Sequence, residues 1–169
     1  MVDILPFKGL RFNKEKIEDI SKIIAPPYDI ISNKQKESLK KLSQFNVVNL
    51  TLPDEKDSYN KYQSAKKTLD EWINSKILVF DDKDSFYMLE VNFLEDGIKK
   101  SFYGFIGLLK VGEYGKSGIL RHEKTLSKPK EDRLNLLKEC RTNFEFIYTL
   151  YNDSSNKISD ILKNQKSKK

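Results

Sequence analysis

The residues best suited to chemistry lie in one segment, 118–143, which contains the only histidine and the only cysteine of the 169-residue chain. Its sequence is GILRHEKTLSKPKEDRLNLLKECRTN. Five successive residues offer two cations, an imidazole, a carboxylate and a hydroxyl: Arg121, His122, Glu123, Lys124 and Thr125. The cations Lys128, Lys130 and Arg133 follow. Because arginine and lysine donate charge-assisted hydrogen bonds to oxyanions, the segment predicts a site for an anion, with phosphate as the first choice.

Each of these five residues has a role that its chemistry allows. Glu123 could orient the imidazole of His122, or itself act as a general base toward a hydroxyl group. Lys124 would meet phosphate oxygens as a point charge, and Thr125 as a hydroxyl donor. The alternative is a solvated loop whose charges pair with one another and whose histidine is structural, and the sequence leaves both interpretations open.

A helix is predicted from Pro129 to about residue 142, with proline at the first helical position. At about 100° per residue, four residues fall on one apolar face, namely Leu134, Leu136, Leu137 and Cys140. Arg133 lies in the middle of that face. Lys130 and Arg141 lie at its edge. A guanidinium group on a buried face needs an anionic partner. That partner is either a bound phosphate or an internal carboxylate, such as Asp29 or Glu123.

Secondary candidate residues lie elsewhere in the chain. Tyr28 and Asp29 follow a double proline, which fixes the backbone and could aim two polar side chains at a site. Residues 25–29 are predicted to be extended, because each proline disfavours helix at the residue before it. The alternative to a site is a rigid connector with Tyr28 packed in the core. Arg141 and Asn143, which close the basic segment, are the other secondary candidates. Cys140 and Trp72 are predicted to be core residues.

The helices that must position these residues have recognisable starts. Ser32 with Gln35 forms a capping box, and Leu39, Leu42 and Phe45 are expected to form the buried stripe of that helix. A second helix is capped by Asp57 or Ser58. Its apolar positions fall on one face at helical spacing, and they are Tyr62, Ala65, Leu69, Trp72 and Ile73. A closing helix is predicted over 155–162.

The strands are predicted at 4–12, 47–52, 85–93, 100–111 and 144–151. Asp96-Gly97 between the third and fourth of these is a strong hairpin signal. Strands and helices alternate irregularly, so the fold class is α+β (mixed α/β) in a single domain. The domain is expected to cover residues 1–153, and residues 154–169 to form a short helix and a lysine-rich tail.

Composition and charge exclude several classes of protein. Hydrophobic residues make up 38% of the chain, enough for a core, and no apolar run approaches the roughly 20 residues of a membrane span. One cysteine predicts a reducing cytoplasmic location. One cysteine and one histidine cannot together form a metal cluster. Most of the net charge of +6 comes from four lysines in the last nine residues, so nucleic-acid binding is not expected.

Several motifs, in order and spacing, resemble one known family. They are PFKGLRF near the start, APPYDII, NVVNLTLP, RHEKTLSKPKEDRLNLL and RTNFEFIYTLYND. They are similar to the N-terminal part of the bacterial and archaeal proteins catalogued as domain of unknown function ten-fifteen. The similarity extends over nearly the whole chain, to about Asp153.

The resemblance implies a function for the family. Its members are usually much longer than this chain, and their later half carries an Asp-Gly-His-His-Arg motif similar to that of free serine kinases of the ParB/sulfiredoxin fold group. Those kinases use ATP or ADP to phosphorylate free serine. The resemblance therefore implies a small-molecule kinase linked to serine metabolism, with Mg-ATP or Mg-ADP as cofactor. The residues that it implies at the shared cleft are Arg121, His122, Glu123, Lys124, Lys130 and Arg133.

This chain departs from that pattern because it has no Asp-Gly-His-His-Arg sequence. We therefore expect it to fold but to be catalytically inactive without the other half, which would be its partner in cis or in trans. The half that is lacking would cover apolar surface, so self-association is also expected. The alternative function is a non-catalytic module that binds a phosphorylated metabolite or nucleotide.

Overall fold

The computed structural model describes the backbone of residues 2–56, 58–113, 115–120 and 127–166. The described part of the chain contains helices and short antiparallel strand pairs, which confirms the α+β class. The helices are α1 Asn33–Leu42, α2 Val48–Thr51, α3 Lys61–Asn74, α4 Ser127–Cys140 and α5 Lys157–Lys166. The strands are β1 Ile4–Leu5, β2 Leu10–Phe12, β3 Leu78–Phe80, β4 Tyr87–Glu95, β5 Ile98–Ile106 and β6 Leu108–Leu109. No helix among these residues is long and apolar enough to cross a membrane.

The described residues group into two compact units. The hairpin unit comprises those within Met1–Gly9, Asp81–His122 and Phe146–Lys169. The helical unit comprises those within Leu10–Phe80 and Glu123–Glu145. The boundary expected after residue 153 stays a prediction.

Helix α3 is the centre of the helical unit. Ala65, Leu69 and Trp72 on its inner face are buried, as the helical spacing predicted. Leu136 and Cys140 of α4 belong to the same core, which confirms the core position of Cys140. The predicted apolar face of α4 is only partly buried, because Leu134 and Leu137 are 45% and 38% exposed. The core packs α4 against α3.

The start of α3 differs from the prediction. The N-cap is Asn60, whose side-chain oxygen accepts hydrogen bonds from the backbone N–H groups of Tyr62 and Gln63. The side-chain oxygen of Gln63 in turn accepts a hydrogen bond from the Asn60 N–H, which completes a capping box. The predicted cap at Ser58 is therefore wrong, and Asp57 lies outside the described residues.

Helix α1 starts as predicted, with the capping box of Ser32 and Gln35. The prediction of a buried stripe on this helix is wrong. No residue of α1 is buried, Leu42 is half exposed, and Leu39 and Phe45 are only partly covered. The helix lies at the surface of its unit, and its apolar side chains are only partly covered there.

The predicted strand at 47–52 is a short helix, α2. The cause is Asn46, which is fully buried and binds three backbone groups. Its side chain donates to the carbonyls of Lys22 and Ile24 and accepts from the N–H of Val48. These bonds tie the start of α2 to the 20–24 segment, and the tertiary contact overrides the strand propensity of VVNLTL.

The predicted strand at 4–12 is two strands with different partners. β1 pairs with β6 in the hairpin unit, and β2 pairs with β3 in the helical unit. The hairpin of β4 and β5 is confirmed, with Glu95 opposite Ile98. Asp96 and Gly97 have φ angles of 51° and 77°, the left-handed conformations that a tight two-residue turn requires.

No strand forms at 144–151, where one was predicted. Two side chains of this segment contact the hairpin through their rings instead. Tyr148 meets Phe102 edge to face, and Tyr151 lies 5.9 Å from Phe105 between ring centroids. The closing helix α5 begins after Asp153, whose carboxylate accepts hydrogen bonds from the N–H groups of Ile158 and Ser159.

Candidate functional site

The sequence-predicted site falls into two parts. The predicted catalytic residues Glu123 and His122, with Arg121, Lys124 and Thr125, lie outside the described residues. Six other candidates lie within them, namely Tyr28, Asp29, Lys130, Arg133, Arg141 and Asn143. The geometry of the candidate site is therefore the geometry around helix α4.

Arg133 is half-buried on the same face of α4 as Leu136 and Cys140, as predicted. Its Nη1 donates to the backbone carbonyl of Thr51 at 2.8 Å. Its Nε and Nη2 donate to Oδ2 of Asp132 at 3.1 and 2.5 Å. The carboxylate in contact with this guanidinium is thus Asp132, which precedes it in the chain, rather than Asp29.

Asp132 also binds the start of α3. Lys61 Nζ lies 2.5 Å from Asp132 Oδ1, and the Tyr62 hydroxyl donates to the same oxygen at 2.9 Å. We call Asp132, Arg133, Lys61, Tyr62 and the Thr51 carbonyl the Asp132 network. It joins α4 to α3 and to the end of α2.

The electrostatics of the Asp132 network favour its charged form. Burial alone would raise the pKa of Asp132, but the hydrogen bonds from Lys61, Arg133 and Tyr62 together outweigh burial and lower the pKa to about 2. The hydrogen bond to Asp132 in turn raises the pKa of Lys61. At neutral pH two cations therefore share one carboxylate.

Tyr28 is the secondary candidate that the structure brings to Arg133. The guanidinium carbon of Arg133 lies 4.1 Å from the centre of the Tyr28 ring, a cation–π contact. The Tyr28 N–H donates to Oε1 of Glu145 at 3.2 Å. The backbone forms a 3₁₀ turn over Tyr28–Ile30 after an extended Pro27, so the prediction of an extended Asp29 is wrong.

The remaining described candidates are not part of the Asp132 network. Lys130, Arg141 and Asn143 are exposed, and so is Asp29. Arg141 ends α4 in a left-handed conformation, with φ of 50°, and its N–H donates to the carbonyl of Leu137.

Two observations limit the chemistry of the described residues. Burial raises the pKa of the Cys140 thiol to about 11, so the group is a packed thiol rather than a nucleophile. Within the described ranges, no group of three histidine, cysteine, aspartate or glutamate side chains could hold a metal ion. What the arrangement offers is a guanidinium held in the middle of α4, with three of its five N–H groups engaged.

Four members of the Asp132 network were missed by reasoning from the sequence, namely Lys61, Tyr62, Asp132 and the Thr51 carbonyl. The only sequence signal was the need of Arg133 for an anionic partner. Glu145, which anchors the Tyr28 turn, carried no signal of its own.

Comparison with known proteins identifies the family. The chain belongs to the family described as protein of unknown function DUF1015, whose model matches residues 4–169. No curated protein and no solved structure matches the chain.

Proposed function

We propose that this DUF1015 chain is the N-terminal part of a nucleotide-dependent small-molecule kinase, and that the segment 121–133 binds phosphate. One observation carries the proposal: the Asp132 network fixes Arg133 in the middle of α4, the helix that begins two residues after Thr125 in sequence. A functional segment requires a rigid attachment, and the network provides one through α3 and the Tyr28 turn.

The described residues fit a phosphate group in one respect. Arg133 has two N–H groups beyond the three engaged with Asp132 and Thr51. The guanidinium is half-buried, where a hydrogen bond to an oxyanion is stronger than in bulk water. Arg133 could therefore hold a phosphate oxygen while remaining part of the network.

The roles of the other residues are proposed from their chemistry. Arg121, Lys124, Thr125 and Lys130 would bind phosphate oxygens alongside Arg133. Glu123 would act as the general base toward the hydroxyl of a small acceptor, and His122 would orient Glu123 or bind phosphate. The resemblance to free serine kinases makes serine the first acceptor to test.

The nucleotide would be ATP or ADP with magnesium. Asp132 does not fit a magnesium ligand, since its carboxylate already accepts bonds from Lys61, Tyr62 and Arg133. The metal would enter with the nucleotide phosphates, and the nucleotide would supply the phosphoryl group. Phosphoryl transfer needs several positioned charges around that group, so we expect no turnover by a chain that lacks the Asp-Gly-His-His-Arg sequence.

A second candidate function is a non-catalytic module that binds a phosphorylated metabolite or nucleotide. The hydrogen bonds of Arg133 favour this second function. A guanidinium that makes three hydrogen bonds to protein groups is suited to holding a bound ligand in place, rather than to changing its contacts during a reaction. Both candidates place phosphate at the same segment. They differ in whether the protein phosphorylates a substrate once the half with the Asp-Gly-His-His-Arg motif is supplied.

The proposal is tested by thermal unfolding of the chain with and without saturating Mg-ADP. A ligand at about a hundred times its dissociation constant adds roughly 2.7 kcal/mol, which moves the midpoint by several degrees. We expect Lys124→Ala and Arg121→Ala to remove this shift without lowering the midpoint of the free protein. Lys34→Ala, which removes an exposed lysine of α1, is the matched control and should keep the shift.

Two results would count against the proposal. If Mg-ADP does not move the midpoint, or if Lys34→Ala reduces the shift as much as Lys124→Ala does, the segment is not the phosphate site. Formation of phosphoserine from ATP and serine by this chain alone would contradict the expected need for the other half.

A further inference from the structure

Residues 146–152 of the hairpin unit contain the longest run of exposed large apolar side chains in the described part of the chain. Ile147, Leu150 and Phe146 are 89%, 77% and 68% exposed. Tyr148 and Tyr151 are exposed as well, although their rings touch the hairpin. Folded monomers rarely present a contiguous apolar patch of this kind, and such a patch usually marks an interaction surface.

The backbone of this segment is available for strand pairing. Among the described residues, no N–H or carbonyl group of 146–152 makes a hydrogen bond to protein. The segment is rich in residues that favour strands, and it contains no proline or glycine. An exposed apolar segment with unpaired peptide groups is a template on which another strand can add.

The ring contacts show where the segment lies relative to the hairpin. Tyr148 meets Phe102, and Tyr151 meets Phe105. Phe102 and Phe105 are three residues apart in β5, so their side chains lie on opposite faces of the hairpin. A segment whose rings reach both faces, in the same order along the chain, runs parallel to β5 beside its edge. In the described part of the chain β5 pairs only with β4, so the segment lies at the other edge of β5.

The charge of the segment indicates which partner fits it. Residues 146–152 carry no charged side chain, although 33% of the chain is charged and its net charge is +6. The flanking carboxylates are engaged within the chain, Glu145 by the Tyr28 N–H and Asp153 by N–H groups of α5. A strongly charged partner would find no opposite charge here. Two copies of this segment can instead approach without like charges meeting.

We propose that 146–152 is the interface of a homodimer, in which the segment of one copy pairs antiparallel with the same segment of a second copy. Pairing about a two-fold axis near Thr149 makes the contact self-complementary, so the assembly closes at two copies. The peptide groups supply the hydrogen bonds of the ladder, and the apolar side chains pack across the strand pair. This inference goes beyond the proposed function, because it involves no residue of 121–133.

Sedimentation velocity from micromolar to millimolar protein concentration measures the dimer. We expect a monomer–dimer equilibrium without larger species. Ile147→Lys should raise the dimer dissociation constant by at least about tenfold, because the two-fold symmetry places the added charge in the interface twice. Leu94→Lys is the matched control. It adds the same charge at an exposed apolar position near the hairpin turn and should leave the constant unchanged.

Amide hydrogen exchange shows whether the contact is a strand pair. We expect alternate amides within 147–151 to exchange more slowly at high concentration, where the dimer dominates, than at low concentration. In Ile147→Lys these amides should exchange rapidly at both concentrations. The melting midpoint of each lysine variant at low concentration should match that of the parent chain, because both replaced side chains are exposed.

The inference is overturned if the chain stays monomeric over this range, or if assemblies larger than the dimer form. It is also overturned if Leu94→Lys weakens the dimer as much as Ile147→Lys, since another surface would then hold it. Two exchange results count against it as well. A dimer in which amides 147–151 stay unprotected would be held by side chains alone. Protection that is already complete in the monomer would show that the segment pairs with β5 instead.

Discussion

Among the described side chains, Asp132 makes the widest set of connections around α4. Several ion pairs among the described residues are exposed on both sides, such as Lys66 with Asp70 on one face of α3. Pairs of that kind contribute little to stability because solvent screens them. Asp132 differs because its side chain is 25% exposed and receives hydrogen bonds from Lys61, Tyr62 and Arg133. Its contribution should therefore be measurable.

The low pKa of Asp132 predicts how stability depends on pH. A carboxyl whose pKa falls from 3.8 to about 2 on folding stabilises the protein above its unfolded pKa. This stabilisation, about 2 kcal/mol, is lost as the pH falls from about 4 toward 2. We expect Asp132→Asn to lower the free energy of unfolding by about that amount at pH 7, and to flatten its decline between pH 4 and pH 2. Urea unfolding at several pH values measures both effects.

Asp70→Asn is the matched control for this prediction. It removes an exposed carboxylate paired within α3, so the expected change is below about 1 kcal/mol. Equal losses for Asp132→Asn and Asp70→Asn would show that the network contributes no more than a surface pair.

The candidate site was only partly predictable from single residues. The position of Arg133 on the apolar face of α4 follows from helical spacing, and so does its need for an anion. The identity of the residues around Arg133 does not follow from helical spacing, because Lys61 and Tyr62 lie 71 and 70 residues from Asp132 in sequence. Local patterns carry no information on which distant helix start will face an aspartate.

Helix starts show the same difference between local and distant information. Three residues near the start of α3 have cap chemistry, and the structure assigns the role to Asn60. We expect Asn60→Ala to lower the free energy of unfolding by about 1 kcal/mol, because two backbone N–H groups lose their acceptor. Ser58→Ala should have no effect beyond error. Chemical denaturation of the two variants checks this, and a loss in Ser58→Ala would contradict the assigned cap.

Helices and the hairpin were predicted better than the other strands. α3 and the β4–β5 hairpin follow from periodicity and from Asp96-Gly97, which are local signals. The segments 47–52 and 144–151 have strand propensity, yet neither is a strand. A strand needs a partner edge as well as suitable side chains. Asn46 holds the first segment in a helical turn, and the tyrosines of the second contact the hairpin through their rings.

The path of the chain through the whole molecule explains one further difference. Its first described residues contribute to both units, with β1 in the hairpin unit and β2 in the helical unit. The sequence pattern over 4–12 looks continuous because both strands are apolar and extended. Only the pairing partners, β6 and β3, separate them, and those partners lie far along the chain.

Trp72, the only tryptophan, gives the helical unit an optical label of its own. Its indole is 5% exposed and lies beside the rings of Phe12 and Phe45, at centroid distances of 5.8 and 5.9 Å. We expect blue-shifted emission that acrylamide quenches weakly in the folded protein. The emission should move to longer wavelength only when the helical unit unfolds. Strong quenching under native conditions would contradict this. Fluorescence therefore follows one unit, while circular dichroism follows both, and any lag between the two signals would reveal units that unfold separately.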